Sequence, residues 1–397
     1  MTVSIKKGTA KGTVKAPPSK SFVHRQIICA ALSDGKSVVR NICDSDDINA
    51  TLDCARALGA NITVKGDAAY ITPGGERKSE LFCRQSGSTI RFFIPVCLSF
   101  GGEFTFYGEK RLLQRPFDVY KKLCEQQGVT FEQTEDYIRV NGKLDLSDVT
   151  VSGAVSSQFI TGLMLAAPLS DGDCTVHIIP PFVSRPYVYI TASVMADFGV
   201  KAEFADEYTL KIKGGQKYKP ADVTAEGDWS NAAFLHALNA LGGAVSVTGL
   251  NENSVQGDRV ILKQFEELKN GRADIDVTDC PDNAPVLMAT AAALHGCTLY
   301  GTSRLKIKES DRCAAMANEL SKFGVKVEVY DDSAKVCAGI KKPGAALDGH
   351  NDHRIVMACA LLLTLTGGKI EGADAVNKSY PAFFDDLSSL GIKITQG

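Results

Sequence analysis

The chain of 397 residues is 44% hydrophobic and 23% charged, which is typical of a globular protein long enough for two or more domains. Its 44 lysine and arginine residues nearly balance 46 aspartate and glutamate residues, and the net charge of −2 excludes a general basic surface for nucleic acid or anionic membranes. Any site for an anion must therefore be built from local groups of charged residues.

The cysteines and the N-terminal sequence indicate a reducing compartment. The twelve cysteines are scattered, and no two lie within four positions of each other, so no zinc or redox motif of the CxxC type is present. The first residues, "MTVSIKKGTAKGTVKAPPSK", lack the apolar stretch of a secretory signal. The longest apolar run, "IVMACALLLTL" at 355–365, is too short to cross a bilayer. We therefore expect a cytoplasmic protein with no membrane or nucleic-acid partner.

A repeated pattern runs through the chain from the N-terminus to the C-terminus. Each repeat has a polar start, an apolar run rich in alanine and leucine, a glycine and a strand-like run. In chain order the repeats are "SKSFVHRQIICAALSDGKSVV", "SGSTIRFFIPVCLSFGGEFTF", "SSQFITGLMLAAPLSDGDCTVHI", "DWSNAAFLHALNALGGAVSVTG", "PDNAPVLMATAAALHGCTLYG" and "NDHRIVMACALLLTLTGGKIEG". The apolar runs are apolar nearly all round, which predicts buried helices.

A second, amphipathic helix is predicted after each apolar run. In "DINATLDCARALG", Ile48, Leu52, Ala55 and Leu58 recur at helical spacing. These second patterns end near Gly59, Gly128, Gly199, Gly271, Gly324 and Gly391, as left-handed C-caps do. Each repeat therefore predicts an inner and an outer helix packed with a sheet, in an α/β (α+β) fold with three repeats per domain.

Two domain boundaries are predicted. One lies near Pro17-Pro18, and the other between "KYKP" (217–220) and "EGDW" (226–229), where the third repeat gives way to the fourth. With the N-terminal strand joining the second half, domain one is residues 1–15 with 226–397. Domain two is residues 16–225.

Cations recur at the helix starts. Ser, Asp and Asn at these starts are explained by helix capping alone, but arginine beside a positively polarised helix start is unfavourable unless an anion lies between them. The cations in such positions are Lys20, Arg25, Arg91, Arg115, Arg185, Arg312, Arg354 and Lys378. Because they recur in equivalent positions, we expect them to share a cleft for anions.

Carboxylates also begin elements in the second half of the chain. Asp282, Glu309 and Asp352 are explained as caps, but a carboxylate in a basic cleft is also a candidate general base. "HNDH" (350–353) places two histidines three positions apart without a third clear ligand, so we expect no metal. The motifs of P-loop kinases, dinucleotide-binding dehydrogenases and serine hydrolases are missing from the sequence.

One known family combines these features. "PPSKSFVHR", "SGSTIRF", "QRPF", "SSQFITGLMLAAPL", "SRPY", "EGDWSNAAF", "IKESDR", "NDHRIVM" and "KSYP" resemble, in this order, the motifs of the 5-enolpyruvylshikimate-3-phosphate synthases. The resemblance implies an inverse barrel of two domains, each with three βαβαββ-type units, sheets outside, and the active site in the cleft between them. It implies an enzyme that transfers the enolpyruvyl group of phosphoenolpyruvate to the 5-hydroxyl of shikimate 3-phosphate and releases phosphate. No cofactor and no metal are implied, and a monomer is expected.

The resemblance also assigns residues to the two substrates. It implies that phosphoenolpyruvate is bound by Lys20, Gly87, Arg115, Arg312, Arg354 and Lys378. It implies that shikimate 3-phosphate is bound by Ser21, Arg25, Ser156, Ser157, Gln158, Ser184, Asp282 and Lys308. Asp282 corresponds to the proton acceptor for the 5-hydroxyl, and Glu309 and Lys20 to the groups that transfer protons at the enol carbon.

The sequence departs from the family pattern at Gln85, Ser88 and Arg304. A first alternative is UDP-N-acetylglucosamine enolpyruvyltransferase, but the chain has Lys20-Ser21 where that family has Lys-Asn, and "YGEKRLLQRP" lacks its reactive cysteine. A second alternative is a non-catalytic repeat scaffold that binds partners through its helix starts.

Overall fold

The structure is a computed structural model that covers residues 1–397. The strands are β1 (Val3–Ile5), β2 (Lys11–Lys15), β3 (Ser37–Arg40), β4 (Asn61–Lys65), β5 (Ala68–Thr72), β6 (Glu80–Phe82), β7 (Glu103–Tyr107), β8 (Thr130–Gln133), β9 (Tyr137–Asn141), β10 (Asp148–Ser152), β11 (Cys174–Ile179), β12 (Glu203–Phe204), β13 (Thr209–Ile212), β14 (Asp222–Thr224), β15 (Ala244–Thr248), β16 (Ala273–Asp276), β17 (Cys297–Tyr300), β18 (Val327–Val329), β19 (Ser333–Val336), β20 (Leu347–Asp348), β21 (Gly368–Glu371) and β22 (Ile394–Gln396).

The helices are α1 (Lys20–Leu32), α2 (Asp46–Ala57), α3 (Gly87–Phe100), α4 (Lys110–Leu113), α5 (Asp118–Gln126), α6 (Ser157–Ala166), α7 (Arg185–Asp197), α8 (Trp229–Ala240), α9 (Ile261–Asn270), α10 (Ala284–Ala293), α11 (Arg312–Lys322), α12 (His353–Thr366) and α13 (Phe383–Ser389). Short 3-10 helices span Ala167–Leu169, Gly257–Val260, Pro281–Asn283, Ser303–Ile307 and Ala373–Lys378. No helix combines the length and the apolar character that a membrane span requires.

The chain forms two compact units. The first unit is Met1–Pro17 with Gly227–Gly397, and the second is Pro18–Glu226. Each unit has its own hydrophobic core. They are described separately below as the first unit and the second unit.

The second unit contains one sheet topology three times. Its sheets have the orders β14-β3-β5-β4, β6-β7-β9-β8 and β10-β11-β13-β12. In each sheet the first two strands are parallel and the other pairs are antiparallel. The predicted repetition is therefore confirmed at the level of strand order.

The first unit contains the same four-stranded topology twice, together with a sheet of only two strands, and it includes the N-terminus. One sheet has the order β16-β17-β19-β18, and another has the order β20-β21-β1-β22. Strand β1 pairs antiparallel with both neighbours, so that Val3 lies opposite Ile370 on one side and Gln396 on the other. Strand β2 pairs in parallel with β15.

The first helix of each repeat is buried and the second is amphipathic, as predicted. Nearly every residue of α12 is buried, because an all-round apolar helix is stable only when other elements surround it. Helix α11 buries one face, with Met316 and Leu320 in the core, and leaves the other face to solvent. Along strand β17, buried residues alternate with more exposed ones, so one face of its sheet packs on the helices and the other faces solvent. Helices inside and sheets outside are the arrangement of the predicted inverse barrel.

Helices α3 and α6 pack closely at Gly162. A Cβ atom at this position would contact Tyr120 Oη and the main-chain oxygen of Arg91. The Tyr120 Oη already lies 2.8 Å from the Arg91 carbonyl and 2.9 Å from the Phe159 carbonyl, so that its single O–H is shared between the two acceptors. The glycine therefore leaves the space that this bridge between helices requires.

We expect Gly162→Ala to lower the free energy of unfolding by about 1–3 kcal/mol, because the added methyl group overpacks the contact between the helices. Urea denaturation followed by circular dichroism measures the change. The control is Gly172→Ala, where no atom lies within 4 Å of the added Cβ, and its stability should equal that of the unchanged protein. Equal losses in the two variants would contradict this account of the packing.

Candidate active site

A buried arginine joins three carboxylates in the first unit. Arg312 is the first residue of α11, and its side chain is 2% exposed. Its Nε donates to Asp352 Oδ2 at 2.9 Å, and its Nη1 donates to Asp282 Oδ1 at 2.8 Å. Its Nη2 donates to Glu309 Oε2 at 2.7 Å. Three of the five guanidinium N–H donors are used in this way, which leaves two for a further acceptor.

A second arginine contacts the same aspartate. Arg354 Nη2 donates to Asp282 Oδ2 at 3.0 Å and to Ser230 Oγ at 2.8 Å. Its Nη1 donates to the main-chain carbonyls of Ser230 and Asp282, both at 3.2 Å. Lys308 Nζ lies 3.4 Å from Asp282 Oδ1. Asp282 therefore lies among three cations.

Helix capping places these charged groups. Asp352 is the N-cap of α12, and its Oδ1 accepts from the Arg354 main-chain N–H at 2.9 Å. Its other oxygen, Oδ2, accepts from Arg312 and, at 3.0 Å, from the Ser310 hydroxyl. Asp311 is the N-cap of α11. Capping and charge pairing are therefore performed by the same short segments of sequence.

The charged groups shift each other's pKa values. Burial alone would lower the pKa of Arg312, but the carboxylates of Asp352, Glu309 and Asp282 raise it well above the ordinary value. Burial lowers the pKa of Lys308, and Asp282 opposes that shift. Burial alone would raise the pKa of Asp352, but Arg312 holds it below its ordinary value. The group as a whole is a neutralised network of three cations and three anions.

Lys378 joins the network through the main chain. Its Nζ donates to the carbonyl of Asn351, the residue before Asp352. The structure thus brings together all six residues that the sequence assigned to the site within this unit. They are Asp282, Lys308, Glu309, Arg312, Arg354 and Lys378.

In the second unit, Arg25 of α1 is a buried cation held by neutral groups. It donates to Thr191 Oγ1 at 2.8 Å, to the Ser21 carbonyl at 2.6 Å and to Thr161 Oγ1 at 3.2 Å. No carboxylate pairs with it, and burial lowers its pKa. A buried charge without a counter-ion is costly, which suits a site completed by an anion.

The start of α3 faces two further arginines. Ser86 is the N-cap, and its hydroxyl accepts from the Thr89 N–H at 3.3 Å. A Cβ atom on Gly87 would lie 2.5 Å from Arg115 Nη1 and 3.1 Å from Arg91 Nη1. Guanidinium groups beside free N–H groups of a helix start form a site suited to phosphate or carboxylate.

The start of α6 is tied to the start of α3. Gln158 accepts from Arg91 Nη1 at 2.7 Å and donates to Ser88 Oγ at 2.9 Å. Ser156 caps α6 by accepting from the Gln158 N–H at 3.3 Å. Ser157 is the first residue of α6, and Ser184, with φ of 54°, directly precedes α7. The predicted residues of this unit therefore lie at the starts of α1, α3, α6 and α7, except Arg115, which lies between α4 and α5 and reaches the start of α3 with its side chain.

Several partners of the site were not assigned to it from the sequence. Lys20 Nζ lies 2.9 Å from Asp47 Oδ2, and Asp47 had no distinguishing signal because acidic residues are ordinary in a first helical turn. Ser230, which binds Arg354, lies in the recognised motif "EGDWSNAAF" and could have been found there. Thr161 and Thr191 had no signal beyond their place in apolar helices.

All three departures from the family pattern have partners within the protein, and that of Ser88 is Gln158, whose Nε2 donates to Ser88 Oγ. Gln85 Nε2 donates to Glu109 Oε1 at 2.7 Å, and Arg304 Nη2 donates to the Thr278 carbonyl. No cluster of three or more His, Cys, Asp or Glu side chains has the arrangement to hold a metal ion.

We expect Asp352→Asn to cost about 3–5 kcal/mol of unfolding free energy at neutral pH, because it breaks a buried ion pair. A carboxyl whose pKa is lower in the folded state stabilises the protein above its unfolded pKa. That contribution is lost as the pH falls through the lowered folded pKa. The difference between the two proteins should therefore shrink only below about pH 4.

Urea denaturation across this pH range measures the effect. The control is Asp331→Asn, whose side chain is fully exposed and should leave stability unchanged. A difference that stays constant down to the lowest pH at which both proteins fold would contradict the role of ionised Asp352.

Comparison with known proteins identifies the family. The sequence matches the family described as EPSP synthase (3-phosphoshikimate 1-carboxyvinyltransferase) over residues 5–387. It is 39% identical to the 3-phosphoshikimate 1-carboxyvinyltransferase of Clostridium kluyveri, with 99% of this chain and 98% of the relative covered. It is 34% identical to that of Brachyspira hyodysenteriae, with 99% and 100% covered.

Solved structures show the same fold. The EPSP synthase from Acinetobacter baumannii matches with a TM-score of 0.79 at 22% identity, covering 100% of both chains. The enolpyruvyl transferase NikO from Streptomyces tendae matches with a TM-score of 0.74 at 17% identity, covering 99% of this chain and 98% of that one. With its site residues grouped as described and its sequence matched along nearly its whole length, the chain belongs to the EPSP synthase family, the 3-phosphoshikimate 1-carboxyvinyltransferases.

Proposed function

We propose that the charged groups described above bind the two substrates of the EPSP synthase reaction and move its protons. The reaction is the transfer of the enolpyruvyl group of phosphoenolpyruvate to shikimate 3-phosphate in the shikimate pathway, and this chain catalyses it. The observation that carries the proposal is the position of Asp282, a carboxylate that contacts Arg312, Arg354 and Lys308.

In this proposal phosphoenolpyruvate is bound by cations and by free N–H groups. The residues proposed to bind it are Lys20, Gly87, Arg115, Arg312, Arg354 and Lys378. Support comes from Arg312, which keeps two N–H donors beyond its three carboxylate bonds, and from Arg354, whose buried Nε has no partner in the protein. These donors suit an anion that carries both a carboxylate and a phosphate group.

Shikimate 3-phosphate is assigned to a second set of residues. These are Ser21, Arg25, Ser156, Ser157, Gln158, Ser184, Asp282 and Lys308. Support comes from Arg25, a buried cation whose own partners are all neutral, and from the hydroxyl and amide groups at the start of α6. A phosphate monoester would supply the counter-ion that Arg25 lacks within the protein.

The proposed mechanism is addition followed by elimination. The 5-hydroxyl oxygen adds to C2 of phosphoenolpyruvate, its proton passes to Asp282, and C3 gains a proton to become a methyl group. Loss of a proton from that methyl group with departure of phosphate restores the double bond. Asp282 lies beside three cations, and a carboxylate in such a position is a candidate proton acceptor. Glu309 and Lys20 are the proposed proton carriers at C3.

We further propose the domain limits 1–15 with 226–397 and 16–225, a monomeric state and a cytoplasmic location. The domain limits are supported by the pairing of β1 and β2 with strands from the second half of the chain. The location is supported by twelve free cysteines, most of them buried. Light scattering of the purified protein tests whether it is a monomer in solution.

A phosphate-release assay tests the function. The protein is mixed with phosphoenolpyruvate and shikimate 3-phosphate, and phosphate is measured with time. Turnover that requires both substrates supports the proposal. No turnover, or turnover only when UDP-N-acetylglucosamine replaces shikimate 3-phosphate, would overturn it.

We expect Asp282→Ala to lower kcat by about 10²–10⁴-fold while the dissociation constant of shikimate 3-phosphate changes much less, because proton acceptance matters in the transition state. Steady-state kinetics and equilibrium binding measure the two quantities. Asp274→Asn, an exposed position on β16, is the control and should change neither. Equal losses in turnover and binding would assign Asp282 to binding alone.

A further inference from the structure

Glu319 is a buried carboxylate outside the site described above. It lies two turns after Arg312 on α11, and its side chain is 1% exposed. Lys322 Nζ contacts its oxygens at 2.9 and 2.8 Å. The Asp348 N–H donates to it at 2.9 Å, and His350 Nε2 lies 2.8 Å from it. Two of its partners therefore come from the segment that leads into α12.

That segment, residues 348–352, forms a strained turn, here named the 348–352 turn. His350 and Asn351 have φ of 49° and 50°, the left-handed region that residues other than glycine seldom adopt. The His350 N–H donates to Asp348 Oδ1 at 2.7 Å, and the Asp352 N–H donates to the Gly349 carbonyl at 2.9 Å. Such a conformation persists only when its surroundings hold it, and it is a reason to look for function.

The 348–352 turn contacts three residues of the proposed phosphoenolpyruvate site. The Asn351 carbonyl accepts from Lys378 Nζ. Asp352, at the end of the turn, binds Arg312 and caps the helix at the Arg354 N–H. A shift of the turn would therefore move Lys378, Arg312 and Arg354 together.

We propose that Glu319 is a positioning residue for phosphoenolpyruvate, which holds the 348–352 turn in its strained conformation through Asp348 and His350. The inference rests on the proposed function, since it uses the assignment of Lys378, Arg312 and Arg354 to that substrate. The proposed contacts to shikimate 3-phosphate in the second unit do not involve this turn, and Asp282 in the first unit is linked to it through Arg312 and Arg354.

Charge balance alone does not account for the arrangement. Lys322, three residues along the same helix, already neutralises Glu319 and also donates to the Ala346 carbonyl at 3.2 Å. The contacts with Asp348 and His350 are additional, and both of these residues belong to the 348–352 turn. A buried carboxylate with donors on all sides makes strong, charge-assisted bonds, so it can hold a backbone in place.

The first test is Glu319→Gln, which keeps the side-chain volume and removes the charge. The KM for phosphoenolpyruvate should rise by about tenfold, because its cations are displaced, while kcat changes much less. The KM for shikimate 3-phosphate should rise by less than about threefold, because Asp282 is the one proposed contact of that substrate that bonds to the displaced arginines. The matched control is Glu328→Gln, a partly exposed glutamate of β18 paired with Lys326, which should change neither constant.

A second pair of variants applies whether or not Glu319→Gln folds well. In His350→Asn the new side chain is compatible with the left-handed backbone but too short to reach Glu319. The KM for phosphoenolpyruvate should therefore rise by about fivefold. His350→Gln places an amide N–H near the original Nε2 position and should restore the KM to within about twofold of the unchanged protein.

Some outcomes would overturn the proposal. These are a lower melting temperature with both KM values unchanged, a parallel rise in both, or equal effects of the two His350 variants. If the unchanged protein itself shows no turnover with both substrates, the proposed function fails instead, and the two failures are thereby distinguished.

Discussion

The ion pair between Arg312 and Asp352 joins the starts of helices α11 and α12, and the other groups of the first unit are arranged around it. Both side chains are almost fully buried, with exposures of 2% and 0%. Separated from each other, either charge would be very costly in this environment. Because each begins or caps a helix, the pair also sets where the two helices start. Arg312 also binds Asp282 and Glu309, and Asp352 also accepts from the Arg354 N–H, so this pair positions the other charged groups.

Arg312 in the first unit and Arg25 in the second are both buried, but they are stabilised differently. In the first unit, cations and carboxylates neutralise one another, so that the network is stable without a ligand. In the second unit, Arg25 is held by hydroxyls and carbonyls, and its charge has no counter-ion. The first arrangement favours precise orientation of reacting groups, whereas the second favours capture of an anionic group. An enzyme that joins two anionic substrates needs both properties.

Much of the fold could be predicted because its signals are local. The apolar runs that predicted α1 and α12 are continuous, and burial of an all-round apolar helix follows directly from that pattern. Six glycines after the second helices are predicted as left-handed caps; five have φ between 67° and 95°, whereas Gly271, with φ of 156° and ψ of −167°, is nearly extended. Repetition along the chain made each prediction stronger, since the same pattern had to be explained six times.

The candidate site was only partly readable from the sequence. The motifs "IKESDR" and "NDHR" named the residues, but spacing along the chain does not say that Arg312 and Arg354 share Asp282. Asp47 and Glu319 could not be singled out, because an acidic residue on an amphipathic helix usually faces solvent. Their burial depends on which segment packs across them, and that is a property of distant parts of the chain.

The repeats, the inner and outer helices, the family and the kinds of charged residue at the helix starts can all be derived from the order of residues along the chain. These follow from periodicity, capping and composition, which act within a few turns of chain. The folded chain was needed to show that one aspartate contacts three cations, that Arg25 lacks a carboxylate partner and that Glu319 accepts from the Asp348 N–H before α12. Such contacts join residues far apart in sequence, and their energies depend on burial, which only the folded chain defines.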